Sequence, residues 1–179
     1  KKAGELEFGD RLVFVDRVVE GVSQSLPPFV YEKPAHSTTC TNITIPELTT
    51  EVAWFMGLLH GDGYVRLNGN IGEVNIAVCA DHGHSLERVH GAFKLFGVNT
   101  SETGPTDEDR SYKIRATSKQ LAVYLSQFKK PNEALVVPQF VLQGPPEIRA
   151  AYVAGLSDAD GSFRTRPMQV ACSVYPEYL

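Results

Sequence analysis

EVAWFMGLLHGDGYVR, residues 51–66, and RAAYVAGLSDADGSFR, residues 149–164, are two versions of one sequence set 98 positions apart. Six of the sixteen aligned positions are identical: Ala53/Ala151, Gly57/Gly155, Leu58/Leu156, Asp62/Asp160, Gly63/Gly161 and Arg66/Arg164. Trp54/Tyr152, Phe55/Val153 and Val65/Phe163 keep their character. Each copy is an apolar run followed by Asp-Gly and then by strand-like residues, so the unit is a helix feeding a strand. In the first copy Val52, Ala53, Trp54, Phe55, Met56, Leu58 and Leu59 leave no polar side, which predicts a helix buried on several sides. Thr49 or Thr50 can cap it, with Glu51 favourable at the positive end of the helix dipole.

A glycine in a helix interior costs about 1 kcal/mol relative to alanine, so a glycine present in both copies implies a steric reason. Gly57 and Gly155 would let the two helices approach closely about a pseudo-two-fold axis. Their C-terminal ends would then bring Asp62 and Asp160 together. A carboxylate there meets the unfavourable end of the dipole, and a second carboxylate beside it raises the cost. Two such groups converging form an oxygen-ligand site suited to Mg2+. A single Asp-Gly after a helix is often only a turn; two in matching context are poorly explained that way.

Outward from the repeat, Tyr64–Leu67 and Glu73–Cys79 read as strands joined at Asn68-Gly69-Asn70. Val74, Ile76 and Val78 face one way, and Glu73, Asn75, Ala77 and Cys79 the other. Ser85–Phe96 is an amphipathic helix ended by Gly97. An acidic hairpin tip, 104–109, precedes the alternating strand Ser111–Thr117, with Lys113, Arg115 and Thr117 sharing a face. Ser118 caps a helix over Lys119–Phe128, closed by Lys129-Lys130-Pro131. The order is helix, two strands, helix, two strands (the first of the later pair weak), helix: an α+β fold. From Glu20 to Glu47 the periodicity dissolves around Pro27-Pro28 and Pro34, which places a boundary near residue 48.

The 179 residues are 42% hydrophobic and 21% charged, an ordinary globular composition that excludes wholesale disorder. No apolar run approaches the roughly 18 residues of a membrane span, so no membrane partner is expected. Cys40, Cys79 and Cys172 are odd in number and unpatterned, so a reducing, intracellular setting is the expectation. Seventeen Lys+Arg against 21 Asp+Glu give a net charge of −4, spread evenly. Any polyanion surface must come from local placement of cations. Cys79, His82 and His84 lack a fourth ligand and paired spacing, which disfavours zinc.

Val153–Gly161 resembles the LAGLIDADG signature at seven of nine positions, and Phe55–Gly63 is a looser copy ending in the GDG form. The resemblance, over about residues 46–179, implies a LAGLIDADG (DOD-type) homing endonuclease: αββαββα repeats whose antiparallel sheets straddle double-stranded DNA, a pseudo-symmetric monomer when complete. It further implies that the eighth residue of each motif, Asp62 and Asp160, binds Mg2+ (or Mn2+) for phosphodiester hydrolysis. The sixth positions, His60 and Asp158, are not the family's active-site acids. The family tends to place a basic residue near the metal; Lys129 or Lys130 stands in that region, although a solvated helix-end pair is an equal explanation. The DNA-contact candidates are Arg66 and Arg164, at equivalent positions beyond the acids, with Lys113 and Arg115.

Gly4–Val13 is similar to a strand segment near the end of the first half of intein splicing (Hint) domains, which implies an endonuclease embedded in a self-splicing element with host exteins as partners. The expected organisation is a β segment and linker over 1–48, a complete first repeat over 49–144, and the start of a second, truncated one over 145–179. The chain as given is then expected to cleave weakly or not at all. Alternatives are a catalytically decayed intein insert and a non-cleaving nucleic-acid-binding relative.

Overall fold

A computed structural model describes residues 20–32, 42–82, 84–130 and 133–161. The segment Gly4–Val13, Arg164 and the strands expected after Gly161 lie outside the described residues. Helix α1 (Thr50–Asp62) opens at Thr49, whose hydroxyl accepts from the Val52 N–H at 3.3 Å. Every residue from Val52 to His60 is buried, as an all-round apolar helix requires. It passes directly into β1 (Gly63–Asn68), which turns through Gly69 (φ +54°) and Asn70 into β2 (Ile71–Cys79). The positive φ is where glycine is cheapest.

A 3-10 turn (Ala80–His82) leads to α2 (His84–Leu95), ended by Gly97 at φ +72°. Strands β3 (Ser101–Thr103) and β4 (Ser111–Thr117) complete an antiparallel sheet in the order β1-β2-β4-β3. Val65, Val74, Ile76, Val78, Ile114 and Ala116 point to one face and are buried in a common core with α1, α2 and α3 (Lys119–Leu125). The opposite face carries the polar partners of the alternation. Phe55 meets Phe93 edge to face at 5.0 Å, and Tyr124 meets Phe128 at 5.6 Å, so aromatic contacts run through this core.

The helices differ in detail from the sequence expectation. Helix α3 stops at Leu125 rather than Phe128, because Gln127 and Phe128 bond three residues back, to Tyr124 and Leu125. A short helix α4 (Gln139–Leu142) stands after Pro138, burying Phe140 and Val141. Helix α5 (Pro146–Asp160) begins at a proline, whose missing N–H is no loss at a first helical position. The irregular connection is anchored to this unit. Leu26 is buried, the Tyr124 hydroxyl donates to the Pro27 carbonyl at 3.1 Å, and the Gln120 amide oxygen accepts from the Ile43 N–H at 3.1 Å.

Helices α1 and α5 pack along their length, and their closest approach is at the glycines. A Cβ on Gly57 would lie 2.0 Å from the Tyr152 carbonyl oxygen, and one on Gly155 would lie 1.9 Å from that of Trp54. Residues 57 and 155 are equivalent in the repeat, as are 54 and 152, so this is one contact made twice. Gly57→Ala should therefore destabilise the chain by about 2 kcal/mol or more through backbone overpacking. Gly91→Ala, at a helical position with open space around it, should stabilise by about 0.5–1 kcal/mol. Urea unfolding of both variants checks the contrast.

Candidate metal centre and its flanking sheet

Glycine at the crossing puts the last turns of α1 and α5 side by side. A Cβ on Gly61 would fall 2.3 Å from the Ala159 Cβ and 3.2 Å from Asp160 Oδ2. Positions 61 and 159 are equivalent, so they face each other across the pseudo-axis, where there is room for one methyl group. That is the physical reason one copy reads Gly-Asp-Gly and the other Ala-Asp-Gly. Beyond this contact stand Asp62 and Asp160, both solvent-accessible.

The two carboxylates share an electrostatic environment. Lost hydration, then the negative charge of Asp160, raise the Asp62 pKa from 3.8 to about 6, against the opposing pull of Lys129. Lost hydration also raises Asp160, again with Lys129 opposing. Lys129 Nζ donates to the carbonyls of Leu59 (2.9 Å), His60 (2.8 Å) and Gly61 (3.2 Å). It thus covers the exposed carbonyls at the end of α1 with a cation. Burial lowers its pKa to about 8, with Asp160 and Asp62 pulling the other way. Lys130 instead pairs with Glu133 at 3.2 Å on the surface. Of the two lysines that the sequence left open, Lys129 stands at the acids.

Among the described residues no three His, Cys, Asp or Glu side chains group as metal ligands. Two carboxylates whose charged forms are both disfavoured still fit a hard cation, since Mg2+ commonly takes one or two carboxylates and fills its remaining positions with water and phosphate oxygens. The side chains of His82 and His84 lie outside what is described, and Cys79 is a free, exposed thiol.

Beside the acids, the outward face of the sheet gathers three of the predicted cations, Arg66, Lys113 and Arg115. Arg66 lies opposite Glu73 in the β1–β2 register, and Arg115 opposite Asn75 in β2–β4. Glu73 stands between both arginines, 3.8 Å from Arg66 and 3.9 Å from Arg115, while Arg115 Nε donates to Asn75 Oδ1 at 3.0 Å. Lys113 pairs with Asp109 at 2.6 Å; hydrogen bonds from Lys113 and Ser111 hold the Asp109 carboxyl down at about 2. Strand alternation puts Glu73 and Asn75 on this face, but nothing in the sequence marks them for a role. Nor does it mark the layer at the α1–α2 contact, where Arg88 bonds Glu51 through two nitrogens (2.8 and 2.9 Å) and lies 3.8 Å above the Trp54 ring. Only the tertiary fold brings those residues together.

No protein-family model and no curated protein matches the chain. Among solved structures it is similar in shape to mesophilic variants of the homing endonuclease I-DmoI, at 19% identity and a TM-score of 0.46, covering 63% of this chain and 62% of that one. I-DmoI in complex with DNA and Ca gives 20% and 0.48, covering 66% and 61%. I-DmoI with DNA and Mn gives 21% and 0.45, covering 63% of each. The chain thus spans less than two thirds of the length of these structures.

Asp62→Asn should stabilise the metal-free chain at pH 8, by about 1 kcal/mol once solvent screening of an accessible group is allowed for. The sign follows from the raised pKa: above about 6 the folded state carries an ionised group it disfavours, whereas below 3.8 the group is neutral folded or unfolded. The difference in unfolding free energy should therefore vanish as pH falls below about 4. Lys129→Ala should lower the Tm, and Lys130→Ala should leave it within error.

Proposed function

We propose that the chain carries the metal-binding core of a site-specific double-strand DNA endonuclease of the LAGLIDADG homing type, embedded in a self-splicing intein. One observation supports this above the others: the two motif acids meet at the tips of helices joined through the two motif glycines, each with its charged form disfavoured until a cation arrives. Asp62 and Asp160 would hold Mg2+ or Mn2+. When bound, the ion supplies Lewis-acid polarisation of a phosphodiester oxygen and a more acidic water. Lys129, fixed by three carbonyls, places a positive charge beside the acids where a phosphate would enter. Arg66, Arg115 and Lys113 lie on the outward sheet face, where phosphates and base edges could replace their present acid partners, with Arg164 proposed from sequence to extend that set. The intein context is supported by the Gly4–Val13 segment, with an intracellular setting and flanking host exteins.

A second reading, a decayed insert or a non-cleaving DNA-binding relative, is favoured by the pairing of the outward cations with acids. Arg66 and Arg115 share Glu73, and Lys113 is taken by Asp109. Incubating the full element with DNA carrying the uninterrupted host-gene junction separates the two. Mg2+-dependent double-strand cleavage that falls at least 100-fold in Asp160→Asn supports the nuclease. Salt-sensitive binding without cleavage supports the relative. Placing the same element between two reporter domains tests splicing, through the appearance of the ligated product.

A further inference from the structure

The sixth motif positions, His60 and Asp158, have no part in the chemistry above, yet each is bonded to the opposite helix. Trp54 Nε1 donates to Asp158 Oδ2 at 2.7 Å. His60 Nδ1 lies 2.6 Å from the Tyr152 hydroxyl, their rings edge to face at 5.6 Å and 89°. Positions 54 and 152 are equivalent in the repeat, and so are 60 and 158. The same tie is therefore made twice, with different chemistry: indole to carboxylate in one direction, phenol with imidazole in the other.

Each tie runs from the N-terminal half of one helix to the last turn of the other, and ends two residues before an acid. The glycine contact between them is a fulcrum. A point of close approach fixes the distance between two helices but leaves their crossing angle and rotation free. Two bonds on opposite sides of that point remove both freedoms. The ties are themselves held firmly: His60 and Tyr152 are buried, and the Trp54 ring lies under Arg88, which Glu51 grips through two nitrogens.

We propose that Trp54, Asp158, His60 and Tyr152 are positioning residues, whose crossed hydrogen bonds set the spacing of Asp62 and Asp160 and thereby the affinity of the cleft for a divalent cation. The affinity part rests on the reading of the two acids as cation ligands; the spacing part does not. Tyr152→Phe removes one bond, and Asp158→Ala removes the other. Asp158→Asn keeps an oxygen to accept the indole N–H, so it separates the tie from the charge of Asp158. Val89→Ala, in the core on α2 and in neither tie, is a control for stability loss alone.

The full chain is titrated with Mn2+ and the free ion followed by electron paramagnetic resonance. Tyr152→Phe and Asp158→Ala should each bind Mn2+ at least fivefold more weakly, while Asp158→Asn and Val89→Ala bind within twofold of the parent. In parallel, without metal, Asp62→Cys and Asp160→Cys are combined in a chain whose Cys40, Cys79 and Cys172 are replaced by serine. The rate of disulfide formation between the new thiols then reports their spacing. Breaking a tie should slow that rate at least threefold. Parent-like affinity together with parent-like cross-linking in both tie-breaking variants overturns the proposal. If loss of affinity in Asp158→Asn matches that in Asp158→Ala, the Asp158 charge acts directly and its tie is not a positioning device. If the parent binds no Mn2+, the ligand reading of Asp62 and Asp160 fails by itself; a slowed cross-link still upholds the spacing claim, and an unchanged one overturns it.

Discussion

Two helix backbones approach so closely at Gly57 and Gly155 that an added methyl group on either would fall inside the other's peptide oxygen. The rest of the described architecture depends on that contact. Because α1 and α5 meet there, their C-terminal turns run on together, and one methyl is all that the Gly61–Ala159 contact holds. The acids past that point stand side by side at the end of the helix pair. A helix crossing with larger residues would hold the axes some ångströms further apart and weaken the coupling between the carboxylates.

The local electrostatics run against stability. Two acids at the unfavourable ends of two helices are partly stripped of water and costly to ionise, and the charge of Asp160 raises that cost further for Asp62. Lys129 relieves some of that, but its ammonium is committed to three carbonyls of α1. Strain of this kind is common at sites that await a cation or a reacting group.

Charge placement on the sheet is equally specific. The chain is acidic overall, yet Arg66, Lys113 and Arg115 lie on one exposed face, reached by strand alternation and register. Each has an acid close by, so the surface is balanced when free.

The repeat at an offset of 98 was enough to identify the helix pair, its glycine crossing and the two converging acids, because each depends on local periodicity and on one residue type recurring. The alternations of β2 and β4 likewise fixed which side chains face outward. The end of α3 and the existence of α4 were not legible, since both depend on what the chain meets after it turns back over the core. Nor could spacing alone choose between Lys129 and Lys130: adjacent residues point in different directions, and direction is set by packing. The pairing of Trp54 with Asp158 and of His60 with Tyr152 lies furthest from the sequence, joining residues 104 and 92 positions apart. Linear order carries composition and period, but the orientation of a side chain toward a distant partner exists only once the helices have packed.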